Sequence, residues 1–192
     1  MKKKILSLCL VVALAATAII RGTLAWLTAK SDVVTNTFTT SDITVKLEEK
    51  TGTEYKMVPG YDIAKDPKAW VVRGSEECYL FVKLDKANNF DGYLTYTVDI
   101  SENQWTKLTG EGITDEIYYR IVKAADITAE TKFGVLKDNK VSVKGDVTKE
   151  MMNSLANGTL PKLTVTAYAS QLHKNATEDF DVLTAWNNIN TK

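Results

Sequence analysis

The residues of this chain that could do chemistry are few and lie far apart in the sequence. His173 is the single histidine, so a zinc site built on two histidines has no second imidazole. Cys78 follows Glu76 and Glu77, whose negative charges disfavour the thiolate that a nucleophilic cysteine needs. We therefore expect no enzymatic activity. His173 is predicted to be a solvated loop residue, and Cys78 an inert thiol on the core face of a strand.

The oxygen-rich turn 85–92 (Asp-Lys-Ala-Asn-Asn-Phe-Asp-Gly) is the best candidate for a metal site. It does not match a calcium-binding loop, because Ala87 stands where an acid or amide is required and no glutamate closes the loop. The sequence therefore predicts an ordinary polar turn, and neither a metal nor any other cofactor.

Aromatic side chains offer one further kind of site. Their rings could line a sugar-binding face, or they could fill the core that any layered β-protein needs. The six rings concerned are Tyr79, Phe81, Tyr93, Trp105, Tyr118 and Tyr119.

The first 25 residues have the three parts of a secretory signal peptide. Three lysines precede an apolar run over residues 5–20, and Thr23-Leu24-Ala25 puts a small residue just before a cleavage point between Ala25 and Trp26. A helix over that run would be about 24 Å long, shorter than the roughly 30 Å of a bilayer's hydrocarbon core. Cleavage is therefore favoured over the alternative, an uncleaved anchor, and a secreted protein is expected.

Removal of residues 1–25 changes the charge and the cysteine count. The remaining 167 residues suit one domain, and they carry 20 basic and 24 acidic side chains. No basic stripe exists to displace the counterions of a phosphate backbone, so we expect no nucleic-acid partner. Cys9 leaves with the signal, and Cys78 alone cannot form an intrachain disulfide.

After the signal, apolar and polar residues alternate with the period of β-strands. The pattern predicts an all-β protein, an antiparallel sandwich or barrel with one or two short helices. Helices are predicted within 148–158, capped by Thr148, and over 178–189, capped by Thr177 and carrying an apolar stripe that packs on the sheets. The predicted strands cover residues 43–48, 55–58, 69–73, 78–84, 93–100, 105–108, 117–123, 140–143 and 163–172.

Several motifs, taken in order, resemble one family. They are Gly22-Thr23-Leu24-Ala25, Asn36-Thr37-Phe38, Val58-Pro59-Gly60, Lys65-Asp66-Pro67, the block 78–83 and the terminal strand 163–171. The chain is similar to the TasA and camelysin (CalY) proteins of Gram-positive bacteria, which are exported through a dedicated SipW-type signal peptidase. It departs from them at Arg21, where they have glycine, and at Trp26-Leu27-Thr28.

The resemblance implies a jelly-roll β-sandwich over residues 41–192, secreted to the biofilm matrix or the cell surface and able to assemble into fibres. It implies three kinds of partner: other copies of the chain, the signal peptidase and accessory matrix proteins, with a membrane contact only before cleavage. Camelysin has been classed as a metalloprotease, but this sequence has no metal-binding constellation to carry that activity.

Residues 26–40, here called the arm, are polar, threonine-rich and free of proline. We hypothesise that the arm adds as a strand to the next subunit and inserts Val34 and Phe38, which flank Asn36, or Val33 in the other register. A head-to-tail contact that does not close generates a filament. The alternative is that the arm pairs within its own subunit, which would make the protein a monomer or a surface-bound adhesin.

Overall fold

The computed structural model describes residues 42–52, 54–101, 104–155 and 159–189, all within one compact unit, Thr40–Lys192. The predicted signal peptide and the arm lie outside the described residues. The same holds for the cleavage pair Ala25 and Trp26 and for the arm residues Val33, Val34, Asn36 and Phe38.

Twelve strands and four short α-helices make up the described part of the chain. The strands are β1 Val45–Glu48, β2 Asp62–Ala64, β3 Lys68–Val71, β4 Cys78–Ala87, β5 Leu94–Thr95, β6 Thr106–Lys107, β7 Glu116–Val122, β8 Phe133–Gly134, β9 Lys140–Val143, β10 Lys162–Gln171, β11 His173–Asn175 and β12 Glu178–Asp179. The helices are α1 Phe90–Tyr93, α2 Ala124–Ala129, α3 Lys149–Asn153 and α4 Val182–Ile189, with a 3-10 turn at Lys137–Asn139.

The largest sheet has the order β10-β4-β7-β6 and is antiparallel throughout. Its two long strands pair over their full length, from Cys78 opposite Gln171 to Ala87 opposite Lys162. Both faces are apolar, because alternate residues of β4 enter two different cores. This explains why β4 is a nearly continuous apolar run instead of an alternating one.

The main core lies between one face of the large sheet and two three-stranded sheets, β1-β3-β8 and β2-β9-β5. Cys78, Leu80 and Val82 from β4 meet Val71 and Val141 from these smaller sheets. Cys78 is fully buried here, as its alternation with Leu80 and Val82 predicts.

The second core lies on the opposite face, under α4. Trp186 of this helix packs against Phe81 and Tyr168, with ring centroids 5.2 and 5.4 Å apart. The helix also lies close to Gly110, which has no side chain to obstruct it. A Cβ added at this position would lie 2.7 Å from a methyl carbon of Leu183. The predicted packing of the helix's apolar stripe on the sheet is thus confirmed.

The start of that helix was predicted wrongly. Glu178–Asp179 pair with β11 as a strand, and the helix begins at Val182. Asp181 accepts a 2.9 Å hydrogen bond from the backbone of Thr184, which is the capping role that we assigned to Thr177. Thr148 does cap α3, where its hydroxyl accepts the backbone N–H of Met151 at 3.2 Å.

The prediction of an all-β protein with antiparallel sheets is confirmed, and jelly-roll connectivity stays a prediction. The number of short helices is larger than expected, since α1 and α2 also occur. The long strand expected over 93–100 is wrong: α1 ends at Tyr93, β5 has two residues, and Val98 forms a single bridge to Leu136. The strand expected over 55–58 has no ladder partner. In the described part of the chain, no helix has the length and apolarity to cross a bilayer.

Candidate assembly cleft

A cleft of about 770 Å³ lies beside the first residues of β10. Its apolar lining includes Phe90, Leu94 and Val141, each less than 10% exposed and part of the main core. Polar side chains line it as well, among them Glu54 and Lys162, both of which are exposed. Apolar side chains of the main core thus also form the inner wall of a cleft that opens at the surface.

Three half-buried side chains also line this cleft: Met57, Ile63 and Leu163. Leu163 belongs to β10 and Ile63 to β2, so the cleft lies where the large sheet meets a small one. A buried apolar side chain gains about 1.5–3 kcal/mol over an exposed one, so this lining favours a ligand with apolar side chains.

The turn before α1 brings Phe90 into the cleft. Asn88 and Asn89 both have positive φ, 57° and 53°, and reverse the chain within two residues. Asparagine tolerates this conformation better than most residues do. The ring of Phe90 is then held edge-on to Tyr96, with the centroids 5.7 Å apart.

One charged side chain of the cleft, Lys65, already has a partner. Lys65 forms a 2.8 Å ion pair with Glu49, and its ammonium lies 5.3 Å from the centre of the Tyr55 ring. Glu54 and Lys162, which also line the cleft, have opposite charges, so the rim has no excess of one sign that would favour a strongly charged ligand. An uncharged segment with apolar side chains fits the cleft best.

β10 forms one edge of the large sheet. Among the described strands its only hydrogen-bonded neighbour is β4. An edge strand presents a row of N–H and C=O groups to an added strand. β1 packs close to β10 without pairing with it, so the candidate acceptor is the part of this edge beside the cleft. The half-buried residues Leu163, Val165 and Ala167 of this edge pack against the main core, so an added strand would lie next to apolar side chains.

The volume of the cleft matches a short length of strand. One strand residue occupies about 160 Å³, taking a strand spacing of about 4.8 Å, a sheet spacing of about 10 Å and a rise of about 3.3 Å. The 770 Å³ cleft therefore has room for about five residues.

The chain enters the domain far from this cleft. The carbonyl of Asp42 accepts the backbone N–H of Glu76 at 3.3 Å, and the N–H of Thr44 donates to Ser75 at 3.0 Å. These contacts place Asp42 beside the Cys78 end of β4. The cleft adjoins the other end, where Asp85 pairs with Thr164. The seven residue steps from Cys78 to Asp85 span about 23 Å.

Cys78 lies in β4 and His173 lies in β11, and the two side chains form no catalytic pair. Burial raises the pKa of the Cys78 thiol to about 12, which keeps it protonated. His173 is exposed but lies in β11, so the prediction of a loop position is wrong. Its ring joins the hairpin to its neighbours, with Nδ1 2.6 Å from Asp179 and Nε2 3.3 Å from Glu77.

Glu77 has a structural role. Its carboxylate accepts the backbone N–H of Ala124 at 2.9 Å and the ammonium of Lys123 at 3.2 Å, where α2 begins. The backbone hydrogen bond is the main reason that the pKa of Glu77 is lowered.

In the turn 85–92, Asp85 pairs with Lys83 at 3.3 Å and Asp91 with Lys86 at 3.1 Å. The described residues contain no group of three or more histidine, cysteine or carboxylate side chains placed to hold a metal ion.

Five of the six aromatic residues considered for a sugar-binding face are buried core residues, and the sixth, Tyr119, is half-buried against the core under α4. Tyr79 and Phe81 belong to the core under α4, whereas Tyr93, Trp105 and Tyr118 belong to the main core on the other side of the sheet. All five are less than 10% exposed. They form no common flat surface, and the hypothesis of a sugar platform is wrong.

Sequence reasoning missed the cleft because its lining comes from separate segments around residues 57, 63, 90, 141 and 163. Each segment, taken alone, has the sequence pattern of an ordinary core segment. No protein-family model, curated protein or solved structure matches the chain.

Proposed function

We propose that this protein is a secreted structural protein of the extracellular matrix that assembles into fibres. After removal of residues 1–25, the arm of one molecule adds as a strand to the β10 edge of the next and fills its cleft. The resemblance to the TasA and camelysin proteins supports export, a jelly-roll sandwich and a matrix location. The observation that carries the proposal is the combination of an apolar cleft and a sheet edge with one paired side.

The arm suits the cleft in size and chemistry. The cleft has room for about five residues, and the segment from Val34 to Phe38 is five residues long and uncharged. Val34 and Phe38 fall on the same side of an extended strand, so both can face the apolar lining while the backbone pairs with β10.

The length of the chain favours exchange between molecules over self-pairing. Phe38 lies four residue steps before Asp42, a distance of at most about 14 Å in a fully extended chain. The cleft begins about 23 Å along β4 from the end where Asp42 lies. This difference in reach favours the joint entry of Val34 and Phe38 into the cleft of another molecule. Because Asp42, the first described residue, lies at the end opposite the cleft, repeated addition of arms would give an open head-to-tail filament.

The proposal is tested on the mature chain, residues 26–192. We expect N-terminal sequencing of secreted material to give Trp26 first. Gel filtration should show a concentration-dependent shift to large species, which electron microscopy should resolve as fibres. A protein that stays monomeric at high concentration would contradict the proposal.

The cleft is tested with neighbouring substitutions. Met57→Glu places a charge in the cleft, whereas Val58→Glu changes the next residue, which is 50% exposed and does not line it. We expect Met57→Glu to abolish fibres and Val58→Glu to leave them intact, with both monomers folded by circular dichroism. Equal effects of the two substitutions on fibre formation would show that the cleft does not bind the arm.

Mixtures of variants test separately the two roles of each molecule, which donates its arm and accepts another arm in its cleft. A chain without residues 26–40 keeps the cleft and should cap growing fibres of the intact mature chain, shortening them at substoichiometric amounts. The Met57→Glu chain keeps its arm, so together with the arm-deleted chain it should form dimers that grow no further. Fibres formed by the arm-deleted chain alone would dismiss the exchange of arms.

A further inference from the structure

Residues 54–57 (Glu-Tyr-Lys-Met) have the side-chain pattern of a strand. Tyr55 and Met57 are half-buried and Glu54 and Lys56 are exposed, which is the alternation of an extended chain with one face on a core. Met57 packs against the main core. Yet these residues belong to no sheet of the described structure.

The backbone N–H and C=O groups of this segment have no backbone partner among the described residues. None of residues 54–57 makes a backbone hydrogen bond within the described structure, and the first bond beyond them runs from the N–H of Tyr61 to the carbonyl of Val58 at 3.1 Å. Water can satisfy these backbone groups in the partly exposed segment, and they therefore stay available to pair with another strand.

The same segment lines the assembly cleft. Glu54, Tyr55 and Met57 border it together with Leu163 and Thr164 of β10. The cleft therefore offers two backbone edges to an entering strand, one from β10 and one from residues 54–57. A strand between them would complete hydrogen bonds on both of its sides.

We propose that residues 54–57 are a latent strand that forms when the arm of a neighbouring molecule enters the cleft. This inference rests on the proposed function and names a second binding element within the same site. The arm becomes an internal strand, and the large sheet grows from β10-β4-β7-β6 to six strands with residues 54–57 as its new edge. An arm that is paired on both sides makes more backbone hydrogen bonds than one paired with β10 alone, so the latent strand makes the junction stronger.

The test is hydrogen exchange followed by mass spectrometry on the mature chain, as monomer and as fibre. The amides of residues 54–57 have no backbone acceptor among the described residues, and we expect them to exchange within seconds in the monomer. In fibres, the amides that face the arm should be protected by about 100-fold or more, together with the arm residues 33–38.

The Phe38→Ala variant is the matched control, because it keeps the full mature chain but is expected to stay monomeric at concentrations where the wild type forms fibres. Its residues 54–57 should exchange at the monomer rate. Fibres with a protected arm and unprotected residues 54–57 would overturn the latent strand and leave the proposed function standing. Fibres whose arm is unprotected, or an absence of fibres, would overturn the proposed function and this inference with it.

Discussion

Phe38 is the residue whose loss should weaken assembly most. Its ring would leave water for a cleft lined by Phe90, Leu94 and Val141, each less than 10% exposed. Full burial of a phenylalanine side chain contributes about 1.5–3 kcal/mol. Phe38→Ala should therefore cost about 2 kcal/mol per junction, which corresponds to about a 30-fold rise in the concentration at which fibres appear.

The assay is the soluble protein that remains after sedimentation of fibres at equilibrium, measured over a series of total concentrations. Thr37→Ala is the control, because the side chain next to Phe38 lies on the opposite face of an extended strand and should change the critical concentration less than about threefold. Equal effects of the two substitutions, or a rise below about threefold for Phe38→Ala, would refute the insertion of Phe38 into the cleft. If Val33→Ala has the larger effect, the arm uses the other register.

Three further predictions concern the folded domain. Trp186→Ala should lower the free energy of unfolding in urea by about 3–5 kcal/mol, since it empties the space over Phe81, and a loss below about 1 kcal/mol would contradict that packing. The pKa of Glu77 is lowered chiefly by the N–H of Ala124. This carboxylate therefore stabilises the fold above its unfolded pKa of about 4.3, and the contribution disappears as the pH falls through the folded value. Urea unfolding from pH 6 to pH 3 should show a steeper loss for the wild type than for Glu77→Gln, and parallel curves would contradict this. Cys78, with its pKa raised to about 12 by burial, should resist thiol reagents at pH 8 until the mature protein is unfolded, and rapid labelling of the native form would contradict its burial.

The strands that the sequence predicted well are those whose own residues determine their burial. β9 matches the predicted range 140–143, and β10 and β4 agree within three residues of each end. In each of them apolar residues alternate, or run continuously where both faces are covered, and the resulting burial does not depend on the order of the strands.

The errors occur where a distant partner decides the outcome. The segment 55–58 alternates like a strand but has no neighbour to pair with, and the hairpin of β11 and β12 replaces the first turn of the helix predicted over 178–189. β8 has two residues and pairs with β3, so its local sequence carries too little pattern to identify it. Strand pairing over such distances is a property of the whole fold.

The candidate site depends on sheet order in the same way. The unpaired edge of β10 follows from the order β10-β4-β7-β6, and the cleft follows from the meeting of that edge with β2 and α1. The arm could be identified from the sequence because it adjoins a signal peptide and is polar and free of proline. Its acceptor could not be identified from the sequence, since no short sequence motif shows which strand lies at the edge of a sheet.

The most direct test of strand exchange is a disulfide between arm and cleft in one double variant, Asn36→Cys with Leu163→Cys. Asn36 lies on the same face of an extended arm as Phe38, and Leu163 lines the cleft. After mild oxidation of the assembled protein, we expect a ladder of covalent multimers on a non-reducing gel that collapses to the monomer on reduction. A single monomeric band, whether internally bridged or unbridged, would contradict the insertion of one molecule's arm into the next.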